Sequence, residues 1–416
     1  MTEDLIILGG GCAGLSLAMQ LAKLGKDCPK TTIIESRASY VNDRTWCYWG
    51  SDHTQHASDW LRSSEDIQAE QWANKSWPAI LLKYQNDTVR VNCLTTPYQM
   101  LASSIFYENA LKLIAHNDNI RLIRDTPVNG SPVYLSDALQ ADTALNGVWR
   151  VQTNNQDFLS KTIVDTRPTK TMTADDALMW QSFLGQEVSF EHDTFDADCA
   201  TLMDFGGEKQ NGSDEVTFIY ILPISNQRAL VELTVFAKKP IAKEALEKPL
   251  ANAIRTLNPT QAAVIDRTEF GVLPMGLKVN NLKHDDSSQD DHKQRSYVYA
   301  GLFFGAARPS SGYAFMRIQR WAKRCAHSIA SSGIPISHTP DSAWLTWMDT
   351  LFLKVILHQP SLAPTLFMAM FGRVNAHSMV RFLSDQAKLR DYLWIILALP
   401  PIPFLKQLVR QLFNHD

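Results

Sequence analysis

The sequence predicts an α/β protein with a Rossmann-like dinucleotide-binding domain, an antiparallel β-sheet domain and a C-terminal helical region. Three observations carry this expectation. The chain opens on a strand, a glycine loop, a helix and a second strand that ends in an acid. Its middle alternates apolar and polar residues with the two-residue period of half-buried strands. From Asp341 onward its apolar spacing is helical, broken by Pro360, Pro364, Pro400, Pro401 and Pro403.

Asp4-Leu-Ile-Ile-Leu8 is an apolar run of the buried-strand type, and it leads into Gly9-Gly-Gly11-Cys-Ala-Gly14. Helical spacing follows over Leu15–Leu24, then the strand Thr31–Ile34 and Glu35. This is G-x-G-x-x-G in its full βαβ setting. Gly9 permits the tight turn, Gly11 lets the backbone approach a pyrophosphate, and Gly14 lets the helix pack close to the strand. The helix start offers unpaired N–H groups and partial positive charge to phosphates. Glu35 can accept ribose hydroxyls. The unit's place at the start of the chain favours FAD over NAD.

Residues 36–50 mix polar side chains with four aromatics and read as a structured loop facing cofactor or substrate, with Asp43 and Arg44 beside Thr45-Trp46. Residues 51–75 are polar. Asp52, His53 and His56 lie close together there, but nothing completes a metal site, so no metal is expected. Ile80–Tyr84 and Thr88–Cys93 read as strands across Asn86-Asp87, and Thr96-Pro97-Tyr98 as the start of a helix to about His116. Ile120–Arg124 is a strand, and short strands flank Asn129-Gly130 and Asn146-Gly147. Thr162–Asp165 is an apolar strand expected to return to the first sheet. Glu187–Phe190, Ala200–Phe205, Glu215–Leu222 and Leu230–Phe236 read as an antiparallel sheet, residues 242–257 as a helix and Arg267–Leu273 as a further strand. Asp285–Arg295 reads as an exposed loop, Ser296–Gly301 as the last strand of the first sheet, and a long helix follows to about Ser331.

At 416 residues and net charge −3, with 45% hydrophobic and 20% charged residues, the chain is an ordinary globular sequence with no electrostatic case for nucleic acid. Its eleven Trp and eighteen Phe suit a large apolar ligand or a large core. Cys12, Cys28, Cys47, Cys93, Cys199 and Cys325 form no C-x-x-C pair, as in a reduced, cytoplasmic protein. No apolar run reaches the ~18 residues that span a bilayer. The C-terminal Trp, Phe, Lys and Arg lie in amphipathic spacing, which suits either a membrane surface or a lid packed on the body.

Two constellations and one set of acids carry chemistry. In Arg228–Phe236, alternation puts Arg228, Leu230, Glu232, Thr234 and Phe236 on one face and only apolar residues on the other. Glu232 thus points away from the core among bulky neighbours, where a carboxyl can hold a proton near neutrality. Gly301 to Gly312, with Pro309 and Tyr313, is a second strand, loop and helix start suited to an anion. Asp43, Asp204 and Glu269 are further acids that could join Glu232.

Asn42-Asp-Arg-Thr-Trp-Cys-Tyr-Trp49, Val164-Asp-Thr-Arg-Pro168, Leu202-Met-Asp-Phe205, Leu230-Val-Glu-Leu-Thr234, Gly271-Val-Leu-Pro-Met275 and Pro309-Ser-Ser-Gly-Tyr313 resemble, in order, the signature blocks of the bacterial lycopene cyclase family. Arg381-Phe-Leu-Ser-Asp385 and Pro400-Pro-Ile-Pro-Phe404 fit the same resemblance. Two positions depart from it. Leu302 stands where the related hydroxylases carry an Asp, and Ala-Arg308-Pro replaces the usual His-Pro.

The resemblance implies the FAD-binding fold of the aromatic hydroxylases. It implies a FAD domain over 1–75, 94–170 and 271–335, a substrate-binding sheet over 76–93 and 171–270, and a helical region over 336–416. It implies FAD held by Gly9, Gly11, Gly14, Glu35, Arg44, Asp165, Gly301, Pro309 and Gly312, active when reduced by NADPH or NADH. The implied reaction is a redox-neutral isomerisation of lycopene or a related linear carotenoid, with its ψ-ends closed to β-ionone rings. Glu232 is the expected catalytic carboxylate, with Asp43 and Asp204 as partners, at the inner face of the membrane. An FAD monooxygenase and a non-catalytic polyene carrier are the alternatives.

Overall fold

The computed structural model describes residues 2–50, 71–135, 147–168, 172–206, 214–277 and 291–413. The Asp52, His53 and His56 cluster and residues 285–290 lie outside them.

The opening unit folds as its sequence dictates: β1 (Thr2–Leu8), α1 (Cys12–Ala22) and β2 (Thr31–Ile34). Leu5 to Leu8 are fully buried on both faces: Leu5 and Ile7 pack with Leu15 and Leu21 of α1, while Ile6 and Leu8 pack with Trp149, Val151, Phe158 and Tyr297. Next comes β3 (Thr45–Trp49), inside the segment expected to be a loop, then β4 (Lys75–Trp77) and the hairpin β5 (Ala79–Tyr84) and β6 (Asp87–Asn92). The helix expected from Tyr98 starts later. Tyr98–Ala102 is a strand, β7, and α2 is Ser103–Ala115. The reason is tertiary. β7 lies between β3 and β4, and Tyr98 packs its ring 4.8 Å from Trp49 and 6.1 Å from Trp77. Cross-strand aromatic pairs of this kind outweigh a local helix signal.

β8 (Ile120–Ile123), β9 (Val133–Leu135), β10 (Val148–Gln152) and β11 (Asp157–Asp165) follow. β12 (Met179–Ser189), β13 (Cys199–Asp204), β14 (Val216–Pro223), β15 (Arg228–Ala237), α3 (Lys243–Leu257) and β16 (Val264–Met275) form the middle. Asp291–Ser296, expected as exposed loop, is a short helix, α4, leading into β17 (Tyr297–Tyr299). Ser296 is held there because its hydroxyl accepts the buried Trp149 indole N–H at 2.9 Å. The last elements are α5 (Phe315–Ser332), α6 (Ala343–His358), α7 (Ala363–Arg373), α8 (Ala376–Leu383), α9 (Leu389–Ala398) and α10 (Pro401–Phe413).

The first sheet has the order β8-β2-β1-β11-β10-β9, with β17 also paired to β11. β11 returns parallel to β1, so Leu8 lies level with both Ile34 and Asp165. The second sheet has the order β16-β12-β15-β14-β13-β5-β6, and β3-β7-β4 form a small third sheet. The second sheet is covered on both faces. Ala229, Val231, Leu233 and Val235 of β15 pack with Leu246, Leu250 and Ile254 of α3. Leu230 and Phe236 join a core with Phe352, Leu366 and Phe382 of the C-terminal helices. The Glu232 face, read from the sequence as pointing away from the core, is therefore roofed by α6 to α10 rather than open to solvent.

Candidate active site

One cavity of about 1100 Å³ joins the three parts of the molecule. Gly9, Gly11, Glu35 and Arg44 line one end, Cys47, Tyr98, Glu232, Glu269 and Tyr313 the middle, and Trp344, Trp347, Ile396 and Leu405 the far end.

The glycine-loop end follows from close packing. Gly9 has φ +93°, and a Cβ on Gly14 would come 2.0 Å from the Gly9 carbonyl oxygen. No larger residue fits there. A Cβ on Gly11 would meet nothing within 4 Å, so the space in front of the α1 N-terminus is open to a ligand. Glu35 accepts the Gly10 N–H at 2.7 Å and the Arg37 Nε–H at 3.1 Å. Burial works to raise the Glu35 carboxyl, but Arg37 and the Gly10 amide outweigh it and hold it below the usual carboxylate range. Asp165 is buried behind this end and fixes Arg167, which lines the cavity, through bonds of 2.9 and 2.7 Å. The Gly301 N–H donates to the buried His338 Nε2 at 3.0 Å. Burial, then the nearby Arg324 and Arg317 cations, push the His338 imidazole down to about 3, so it stays a neutral acceptor.

The middle is apolar and carries two carboxyls. Glu232 is 8% exposed and Glu269 4%. Burial, reinforced by the Glu269 charge, pushes the Glu232 carboxyl up to about 8 against one hydrogen bond from Thr234 (2.7 Å). Burial also raises Glu269, but Arg267 pairs with it and Thr45 Oγ1 donates to it at 2.9 Å. Beside them the Tyr98 hydroxyl lies 2.8 Å from that of Tyr220 and 3.1 Å from that of Tyr313. Burial pushes these phenols up and the Cys47 thiol up to about 12, so all four stay protonated.

The far end is tied to the middle by Arg308, 1% exposed. Its guanidinium donates to Asp349 of α6 (3.2 Å) and to the Phe382 carbonyl of α8, and lies 4.2 Å from the Phe382 ring centre. The departure from His at this position therefore serves to bolt the C-terminal helices to the loop before α5. Arg317 extends the bolt to Asp341 and Asp385, both at 2.7 Å. Beyond it α9 and α10 expose Leu393, Trp394, Leu397, Ile402, Leu405 and Leu412, and Leu405 also lines the far end of the cavity. Among the described residues no single helix is long and apolar enough to cross a membrane. Two helix pairs reach that length and apolarity only together, α6 with residues 360–373 and α9 with α10, and they are bent by 110° and 100°.

Of the residues expected from sequence, Gly9, Gly11, Glu35, Arg44, Glu232, Gly301 and Gly312 line the cavity. Gly14, Asp165 and Pro309 lie behind the lining. The two acids expected beside Glu232 are elsewhere. Asp43 pairs with Arg44 and Arg37 near the glycine loop, and Asp204 with Lys83 at the surface. Register explains the exchange: β13 and β16 are equally far from β15, but Asp204 lies level with Ile219 of β14 and Leu233 of β15, on the face opposite Glu232, whereas Glu269 lies level with Gly185 and Glu232. Tyr98, Tyr220 and His338 were not singled out in the sequence, since each acts through partners more than 30 residues away. Among the described residues no cluster of His, Cys, Asp and Glu could hold a metal.

Comparison with known proteins completes the picture. The family model described as lycopene cyclase protein matches residues 4–409. A search of curated proteins finds no significant match. Among solved structures, a geranylgeranyl bacteriochlorophyll reductase-like protein from Thermoplasma acidophilum is 13% identical with a TM-score of 0.57, covering 98% of this chain and 99% of its own. A flavoprotein/dehydrogenase from Cytophaga hutchinsonii is 10% identical with a TM-score of 0.54, covering 98% and 100%. A flavin-dependent brominase is 12% identical with a TM-score of 0.52, covering 99% of each chain. At these identities the likeness is one of fold.

Proposed function

The chain belongs to the lycopene cyclase family, and from that premise we propose that it closes the ψ-ends of lycopene into β-ionone rings, giving γ- and β-carotene, with reduced FAD in the glycine-loop end of the cavity. The observation that carries this reading is a buried carboxyl, pushed up to about 8 by burial, in an apolar chamber continuous with a dinucleotide loop. The fold shared with flavin-dependent enzymes supports the cofactor, and the residues present fit it. The open space at Gly11 and the α1 N-terminus would take the pyrophosphate, Glu35 the ribose, and Gly301 and Gly312 the other end. Bound FAD, reduced by NADPH or NADH, would supply negative charge to the chamber.

The chain's own residues supply the rest. Glu232 gives its proton to the CH carbon of the terminal double bond, which leaves the cation on the dimethyl-bearing carbon. The inner double bond then closes the ring, and the proton lost from the ring returns to the Glu232 carboxylate. No electron is gained or lost. Leu230, Phe218 and Phe236 keep water from the cation, and the Tyr98 and Tyr313 rings offer π faces to it. Glu232→Gln should lower cyclisation about 10²- to 10⁴-fold, the usual worth of a general acid, while FAD stays bound. The assay is anaerobic, with chemically reduced FAD, lycopene vesicles and chromatography of the product. Cyclisation that needs O₂ would sink the reading in favour of a monooxygenase.

The exposed apolar residues of α9 and α10 support work at the cytoplasmic face of a membrane, where a polyene end can enter without crossing water. Lys406 and Arg410 are exposed on α10, and Asp391, the acid of α9, is buried against Arg381. Leu397→Asp should weaken cosedimentation with anionic lipid vesicles without changing the melting temperature. Unchanged binding would remove the membrane from the proposal.

A further inference from the structure

The cyclase reading uses Glu232 and leaves Glu269 without a task. β15 and β16 both pair with β12, and Glu232 and Glu269 both face the same residue there, Gly185. Side chains at one register level of a sheet point to one face. The two carboxyls therefore look into the cavity from either side of a residue that has no side chain. A Cβ at Gly185 would come 3.2 Å from Glu269 Cγ, 3.2 Å from Leu230 Cδ1 and 3.6 Å from Glu232 Cβ. Glycine weakens a strand interior, and here its use is close approach.

The two acids are provided for unequally. Glu269 Oε2 takes Thr45 Oγ1 and the Arg267 guanidinium, and Arg267 also holds Thr45 at 2.9 Å and Glu187 at 3.2 Å. Among the described residues no cation reaches Glu232, whose bond is to Thr234. The other groups facing this part of the cavity are Tyr220 from β14, Cys47 and Thr45 from β3, Tyr98 from β7 and Tyr313 before α5. From the roof comes Asp349, which Arg308 neutralises. Glu269 is thus the anionic neighbour of Glu232.

We propose that Glu269 is the positioning residue of the acid: held ionised by Arg267 and Thr45, it faces Glu232 across Gly185, keeps the proton on Glu232 until the polyene end arrives, and leaves one negative charge beside the cation that forms. Its own charge does not change in the cycle. The proton leaves Glu232, the alkene pair forms the C–H bond, a second alkene pair forms the ring bond, and a ring proton returns to Glu232.

This inference rests on the cyclase reading for its purpose but not for its test. In protein without substrate, infrared titration follows the C=O stretch of the protonated Glu232 carboxyl, identified by its loss in Glu232→Gln. Glu269→Gln should move the midpoint of that band down by about one pH unit, a tenfold change in the proton equilibrium, because a like charge has been removed. The alkaline limb of the cyclisation profile should move down with it. Glu269→Asp should restore part of the shift. Gly185→Ala, which keeps both carboxyls and spreads them, should move the midpoint the same way by less, and stands in if Glu269→Gln does not fold. An unchanged midpoint in both Glu269→Gln and Gly185→Ala overturns the proposal. A shifted midpoint in a protein that never cyclises upholds the coupling and sinks the cyclase.

Discussion

The glycine-loop end and the middle of the cavity treat charge in opposite ways. At the glycine loop every carboxylate has a cation: Glu35 has Arg37, Asp43 has Arg37 and Arg44, and Asp165 has Arg167. Charge is settled there before any ligand arrives, which suits a place that holds a cofactor still. Further along the same cavity, Glu232 sits in apolar walls with an anion for a neighbour. Its charge is left unsettled, which suits a place where a proton must leave and return. Both environments are buried, so burial alone does not separate a binding site from a reacting one. The pairing does.

The largest test of this contrast is Gly14→Ala. Its Cβ would lie 2.0 Å from a backbone oxygen, so α1 must move off the loop. Purified Gly14→Ala protein should carry no flavin by absorbance after gel filtration, whereas Glu232→Gln should carry as much as the parent. Equal flavin in all three would erase the division between a holding end and a reacting end. A smaller effect comes from the bolt between the regions. Arg308→Met leaves Asp349 buried without its cation, and removing one member of such a pair costs about 3–5 kcal/mol. The melting temperature should fall, and protease should cut first within residues 343–413. A parental melting temperature would mean the roof is held by its apolar contacts alone. The smallest effect belongs to Asp204→Asn. Its pair with Lys83 is 3.7 Å long and partly exposed, worth under about 1 kcal/mol. Cyclisation and melting should stay near parental values, and a large loss of activity would return Asp204 to the reacting end.

The same contrast explains what could be read in the sequence. The glycine loop was legible because its determinants are local: Gly9 to Glu35 contain the turn, the helix start and the acid that meets Gly10. The Glu232 face was legible because strand alternation is local too. Its partner was legible only as one of three candidate acids. Glu269 reaches Glu232 through the register of β16 and β15 on β12, which no short stretch encodes, so nothing in the sequence ranked it above Asp43 and Asp204. Tyr98 was misread as a helix start for the same reason, since its strand exists only between Trp49 and Trp77. Arg308 was visible as a departure from the family pattern, but its use required Asp349 and Phe382 to be placed.

The first sheet also sets an order of assembly. β1 leaves the ribosome well before its partner β11, which ends at Asp165, and Asp165 in turn lies level with Tyr299 of β17. The chamber roof comes later still, from residues beyond Trp344. Such distant pairings close slowly, because each long loop must be gathered before its contacts form. The glycine loop is therefore synthesised early and completed late. During that interval the apolar faces of β14 and β15 have no roof, and a nascent chain would need shielding from its neighbours until α6 to α10 arrive.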